Sequence, residues 1–245
     1  MHNLTQRQIE ILKNLIEEYI ETAVPVGSET LEKKRNISAS PATIRNEMVK
    51  LTEMGYLQKP HSSSGRTPTS AGMKFYVNQL MKEKEISIAE EVELKEKVWD
   101  LRKQQQKLLK EVAKSLADKT KALSIVTTDD GDFFCSGYSN VLDMPEFFDI
   151  DITKNLLSVI DEMEYFSNIF QTPENDSKED IHILFGEELG PRLAGPYGFV
   201  FSHYKTSKHT TGEVAVIGPT RLNYTSVVPM VRYFSNLIKE LAEGW

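Results

Sequence analysis

The chain has 245 residues, 40% hydrophobic and 27% charged, with a net charge of −7 and a single cysteine, Cys135. That length allows one large domain or two modest ones with a core in each, and the composition is that of a globular chain, neither disordered nor membrane-like. No apolar run approaches the roughly 18 residues of a membrane helix, the opening MHNLTQRQIE lacks a basic-then-apolar signal, and one cysteine excludes an internal disulfide, so a cytoplasmic protein is expected.

Leu4 to Thr22 reads as an amphipathic helix capped by Thr5, with Ile9, Leu12, Ile16, Tyr19 and Ile20 at helical spacing. AVPVG breaks it, because proline lacks a donor and disfavours helix in the residue before it. SETLEKKR follows as a short helix with Ser28 as its N-cap, and NISA as a turn. SPATIRNEMVKLTEMG carries the clearest helix signature: Ser40 at the N-cap, Pro41 at the first helical position and Gly55 just past the end. Ile44, Met48 and Leu51 form its apolar stripe. A short helix, a tight turn and a better-capped helix make a helix-turn-helix. YLQKP and GRTPT then read as two short strands around HSSS, and SAGMKFYVNQLM as a further helix. That order is the order of a winged helix, with KPHSSSGRTPT as the wing.

Residues 86–120 read as one long charged helix. Leu94, Val98, Leu101, Gln105, Leu108, Val112 and Ser115 alternate at spacings of four and three, an imperfect coiled-coil seam. Leu109 and Leu116 favour instead a helix packed on its own domain, and both readings stand at this point. From Lys121 the pattern changes. ALSIVTT, FFCSGYSNV, IHILFGEE, GFVFSHYKT and GEVAVIGPT read as strands; DITKNLLSVIDEMEYFSNIF and YTSVVPMVRYFSNLIKELAEGW read as helices. The expectation is an α+β domain with strands and helices on opposite faces.

Charge is unevenly spread. Residues 30–76 hold eight Lys and Arg against three Glu, +5, which leaves −12 for the rest. An anionic partner is therefore permitted near the N-terminus and disfavoured elsewhere. With its stripe inward, the 41–54 helix turns Ala42, Asn46, Val49 and Glu53 outward. Its first turn suits the major groove, so Ala42, Thr43, Arg45 and Asn46 are the candidate base-reading residues. Arginine reads guanine, asparagine reads adenine, and Ala42 suits a thymine methyl. Ser40, Lys50, Lys59, His61, Ser62, Ser63, Ser64 and Arg66 are the candidate phosphate contacts, being hydroxyls and basic groups that position without reading sequence. A phosphate-binding P-loop is excluded, because the GxxxxGK[ST] spacing is absent. Cys135 with His182, His203 or His209 makes a poor thiol–imidazole pair, and no zinc spacing is present. No catalysis, cofactor or metal is expected.

LTQRQIEILKNLIEEYIETAVPVGSETL, SPATIRNEMVKLTEMGYLQKPHSSSGRTPT and AGMKFYV resemble the N-terminal region of the HrcA family of bacterial heat-inducible transcription repressors. GYSNVLDMPEF, FGEE and VAVIGPTRLNYTSVVPMVRYFSNLI resemble its C-terminal part. The resemblance covers Leu4 to about Leu80 and about Gly137 to Leu241. It implies a homodimeric repressor on an inverted-repeat operator upstream of chaperone genes, relieved by heat, with the GroE chaperonin helping to keep it active. It also implies a winged-helix domain, a GAF-like domain and an inserted dimerisation region. The stretch between Thr120 and GYSNV is much shorter than in typical members, so the inserted region and some early GAF-like strands are missing. The 87–120 helix is the candidate to replace that region, through Leu94, Val98, Leu101, Leu108 and Val112.

The expected architecture is thus a winged helix-turn-helix over 1–82, a helical linker over 83–120 and a shortened GAF-like α+β domain over 121–245. The expected function is repression of heat-shock genes by a DNA-bound dimer. Two alternatives stay open: a small-molecule-responsive winged-helix regulator, marked by a closed apolar pocket, and a winged-helix protein-interaction module without salt-dependent DNA affinity.

Overall fold

The computed structural model describes residues 4–35, 37–60, 65–101, 104–170, 181–206 and 210–242. The chain divides into two compact units, Met1–Lys82 and Glu83–Trp245. His61, Ser62, Ser63, Ser64 and His209 lie outside the described residues.

In the first unit, α1 (Gln6–Thr22) is capped by Thr5, whose hydroxyl accepts from the Gln8 amide while the Gln8 side chain accepts from the Thr5 amide. Its core stripe is wider than the sequence spacing suggested. Ile11, Leu12, Leu15 and Ile16 are fully buried, whereas Ile9, Tyr19 and Ile20 are half-buried. Two adjacent i,i+4 rows go inward because α2, α3 and a β-hairpin all pack around this helix. α2 (Ser28–Arg35) begins at Ser28 rather than being capped by it. The Gly27 carbonyl accepts the Leu31 amide, and Ser28 is itself buried.

α3 (Pro41–Glu53) starts at Ser40, whose hydroxyl accepts from the Thr43 amide, and ends before Gly55, which adopts φ +82°. Ile44, Met48 and Leu51 face the core. β1 (Leu57–Gln58) and β2 (Thr67–Pro68) pair antiparallel. Arg66, just before β2, exchanges two 2.9 Å backbone hydrogen bonds with Val26 of the α1–α2 connection. Gly65 is what allows this approach, since a Cβ there would sit 2.3 Å from the Val26 carbonyl oxygen. α4 (Ser70–Phe75), capped by Thr69, runs on into a π-helical turn over Tyr76–Leu80.

The second unit corrects the expectation of one long helix. The 86–120 stretch is two helices, α5 (Ile88–Trp99) and α6 (Gln105–Thr120). Leu94, Val98, Leu108 and Val112 are all fully buried within the single chain, and Leu101 is half-buried between the helices. Those side chains fill this unit's own core, so the proposed dimerisation seam is not available to a partner helix.

Five antiparallel strands follow: β3 (Leu123–Thr127), β4 (Phe133–Ser136), β5 (His182–Phe185), β6 (Tyr197–Lys205) and β7 (Thr211–Pro219), in the order β4-β3-β7-β6-β5. α7 (Tyr138–Leu142) replaces the second half of the strand expected over FFCSGYSNV, because Gly137 turns the chain at φ +91°. α8 (Ile150–Ile160) and α9 (Met163–Phe170) divide the helix expected over 151–170, and α10 (Tyr224–Leu241) closes the unit. Helices cover both faces of the sheet, not one. On one face Ile125, Phe199, Phe201 and Ile217 pack with Leu156, Val159 and Phe166 of α8 and α9. On the other, Ser124 donates to the Ala113 carbonyl of α6 at 2.5 Å, and Ser202 donates to Ser235 of α10 at 3.2 Å. No helix among the described residues is long and apolar enough to cross a membrane.

Candidate nucleic-acid interface

The sequence of α3 settles which of its faces can meet a partner. Three inward side chains fix its rotation, and Ala42, Arg45, Asn46 and Val49 consequently stand exposed at i, i+3, i+4 and i+7. Arg45 and Asn46 make no hydrogen bond or ion pair among the described residues. Thr43 is different: half-buried, with its hydroxyl 2.9 Å from the exposed Ser40 hydroxyl, it belongs to the cap. In the first turn Pro41 has no amide hydrogen and the Thr43 amide is taken by the Ser40 hydroxyl, which leaves the Ala42 amide and the positive end of the helix dipole to favour an anion.

The cations around this face are held in different ways. Lys50 reaches back 2.8 Å to Glu47, whose other oxygen accepts from Gln8 of α1 at 2.9 Å. The Lys50 hydrogen bond, helped by Gln8, keeps the Glu47 carboxyl below its usual range against the opposing effect of burial. Arg66 donates from Nε to the Thr52 hydroxyl at 3.1 Å, which ties the start of β2 to the last turn of α3. Lys59, at the end of β1, is exposed without such a tie. Thr52 escaped the sequence reading because a lone Thr on a helix carries no spacing signal; Gln8, three residues after Thr5, signals a cap but not its contact with Glu47. Gly65 was read only as the first residue of the expected strand GRTPT, with no sign of its close approach to Val26.

The +5 counted over residues 30–76 overstates the local field, because the fold adds acids from α1. Lys34 and Arg35 donate to Glu18 at 2.9 and 3.1 Å, and Arg35 lies 2.8 Å from Glu21. The Lys34 hydrogen bond is the foremost cause that holds the Glu18 carboxyl below its usual range. These α2 cations brace α2 on α1. What remains is a narrower positive locus, Arg45 and Lys59 with the tethered Lys50 and Arg66.

Two features of the second unit bear on the other readings. Cys135 of β4 is pushed up to about 11 by burial, which keeps it a thiol. His182 stacks on Phe201 across β5 and β6, and His203 pairs with Glu213 at 3.2 Å. Among the described residues no group of three or more His, Cys, Asp or Glu is placed to hold a metal ion.

The family model for the C-terminal domain of the HrcA protein matches residues 39–228. The chain belongs to the HrcA family. Its curated relatives include the heat-inducible transcription repressors HrcA of Acetivibrio thermocellus, 25% identical over 98% of this chain and 97% of the relative, and of Ruminiclostridium cellulolyticum, 27% identical over 97% of each. Those alignments run to 340 and 338 positions for a chain of 245 residues. This HrcA-family chain therefore lacks a long segment that its relatives carry. A crystal structure of a hypothetical protein has the same fold, with a TM-score of 0.76 and 17% identity over 98% of this chain and 99% of that one.

Proposed function

We propose that this HrcA-family chain is a cytoplasmic, heat-inducible transcription repressor that binds an inverted-repeat operator as a homodimer. Residues 1–82 act as a winged helix-turn-helix, 83–120 as a helical segment and 121–245 as a shortened GAF-like α+β domain. The family match and the relatives' shared name support repression. The observation that carries DNA binding is the exposed, unpartnered pair Arg45 and Asn46 on a helix capped at Ser40.

In this reading α3 enters the major groove N-terminus first. Arg45 pairs with the O6 and N7 acceptors of guanine, Asn46 with the N6 and N7 edge of adenine, and Ala42 lies against a thymine methyl. Thr43 contributes at the groove edge through the hydroxyl it shares with the cap. Ser40 and the Ala42 amide at the helix N-terminus take a phosphate. Lys50, Lys59 and Arg66 take flanking phosphates, with His61, Ser62, Ser63 and Ser64 completing the wing. Arg66 acts from a fixed position, because its tie to Thr52 sets the hairpin against α3. Two copies place two α3 helices in successive major grooves, about 34 Å apart. The homodimer surface lies outside the Leu94–Val112 seam, which the core consumes.

A binding assay of the full chain on an inverted repeat and on scrambled DNA, with and without heating, tests the reading. Preference for the repeat that is lost on heating is expected. Equal affinity for both at every salt concentration would overturn it.

A further inference from the structure

We propose that the outer edge of β4, with the lysine row of α6 beside it, is a docking surface for an extended acidic segment of a partner protein. β4 is a terminal strand of the five-stranded sheet and pairs only with β3 among the described strands. An edge of this kind offers outward N–H and C=O groups as a template for another polypeptide. This edge lies in an open groove of about 770 Å³ between α6 and the C-terminal end of α8. Lys107, Lys110 and Lys114 line the α6 wall at i, i+3 and i+7, so they share one face, and all three are exposed. None of them has an ion pair or hydrogen bond among the described residues, although Glu111 and Asp161 also line the groove. Three uncompensated cations on one helix face are out of keeping with a chain whose residues outside 30–76 sum to −12.

The strand edge selects a polypeptide over other anions, because only a backbone can extend the ladder, and half-buried Phe133 and Phe134 give alternate side chains an apolar seat. Charge selects an acidic partner over a second copy of this chain. Antiparallel pairing of two β4 edges about a two-fold axis normal to the sheet puts both α6 helices on the same face. The two lysine rows would then face each other across the axis, a like-charge contact that opposes association. An acidic strand instead lays every second side chain beneath the row.

The test uses the full chain and a fluorescent ten-residue peptide of alternating Glu and Val, read by anisotropy, with amide hydrogen exchange on the unlabelled mixture. Saturable binding is expected, with protection appearing at Phe133–Ser136. The combined Lys107→Glu, Lys110→Glu and Lys114→Glu variant should bind about tenfold more weakly or less. Its melting temperature should be unchanged, since all three side chains are exposed. N-methylation of alternate peptide amides should abolish binding. Failure of the peptide to bind at millimolar concentration would overturn the proposal. So would full binding by the N-methylated peptide, or binding without protection of β4. Displacement by inorganic polyphosphate that matches the peptide without protecting the edge would reduce the groove to a general anion site. Edge protection that rises with protein concentration alone would assign the surface to self-pairing.

Discussion

α3 and α6 carry the same kind of sequence signal, an amphipathic helix with cations on its polar side, and the fold uses them in opposite ways. α3 has a single apolar row, Ile44, Met48 and Leu51, so burying it leaves the reverse face in solvent. α6 has two, Leu108, Val112 and Ser115 beside Leu109, Ala113 and Leu116, and all six residues are buried between the sheet and neighbouring helices. A heptad on a helix with a second apolar row describes a core element rather than an interface. The width of the apolar stripe, more than its periodicity, separates a helix that can read a partner from one that holds a domain together.

That contrast can be broken most sharply at Leu108. Leu108→Asp places a charge in a site of zero exposure, and the second unit should lose its cooperative melt by circular dichroism, a cost of several kcal/mol. A folded variant that merely stops dimerising would restore the seam. Next in size is Gly72→Ala. A Cβ there would lie 2.1 Å from the Tyr56 carbonyl oxygen, where α4 presses on the start of the hairpin, so denaturant unfolding should report a loss of about 1–3 kcal/mol.

A smaller effect is expected from acid. The Glu18 carboxyl is held below its ordinary value of 4.5, foremost by the Lys34 hydrogen bond. A lowered folded value means its contribution is present above 4.5 and lost as the pH falls through that lower value. Glu18→Gln should therefore remove about 1 kcal/mol at neutral pH and flatten the stability profile on the acid side. A profile that keeps its slope below 4.5 would place the brace elsewhere. Lys59→Ala should leave stability unchanged and lower the salt slope of DNA binding by about one, for operator and random DNA alike.

How much of this was legible varied with how local the deciding force is. The cap, first-turn proline, stripe and terminal glycine of α3 all lie within residues 40–55, so its limits and rotation could be read directly. The division of 86–120 left no mark, since no proline or glycine interrupts it. Packing of α5 on α6, and of α6 on the sheet, decides it. The helices on both faces of the sheet did leave a signal: GFVF and VAVIG are continuous apolar runs rather than alternating ones, as strands covered on two sides require. Within the candidate interface the outward direction of Asn46 followed from periodicity, whereas Arg45 entered only through its place near the first turn. The capture of Lys34 and Arg35 by Glu18 joins residues sixteen and seventeen apart and needed the fold to be seen.

The central claim is that the outer face of α3 reads bases. Arg45→Ala in the full chain, titrated on the inverted-repeat operator and on scrambled DNA at one fixed salt concentration, tests it most directly. The predicted result is a loss of about 1–3 kcal/mol on the operator with little change on scrambled DNA, and relaxed preference at one base position in each half-site. Equal losses on both DNAs would contradict it and make Arg45 one more phosphate contact.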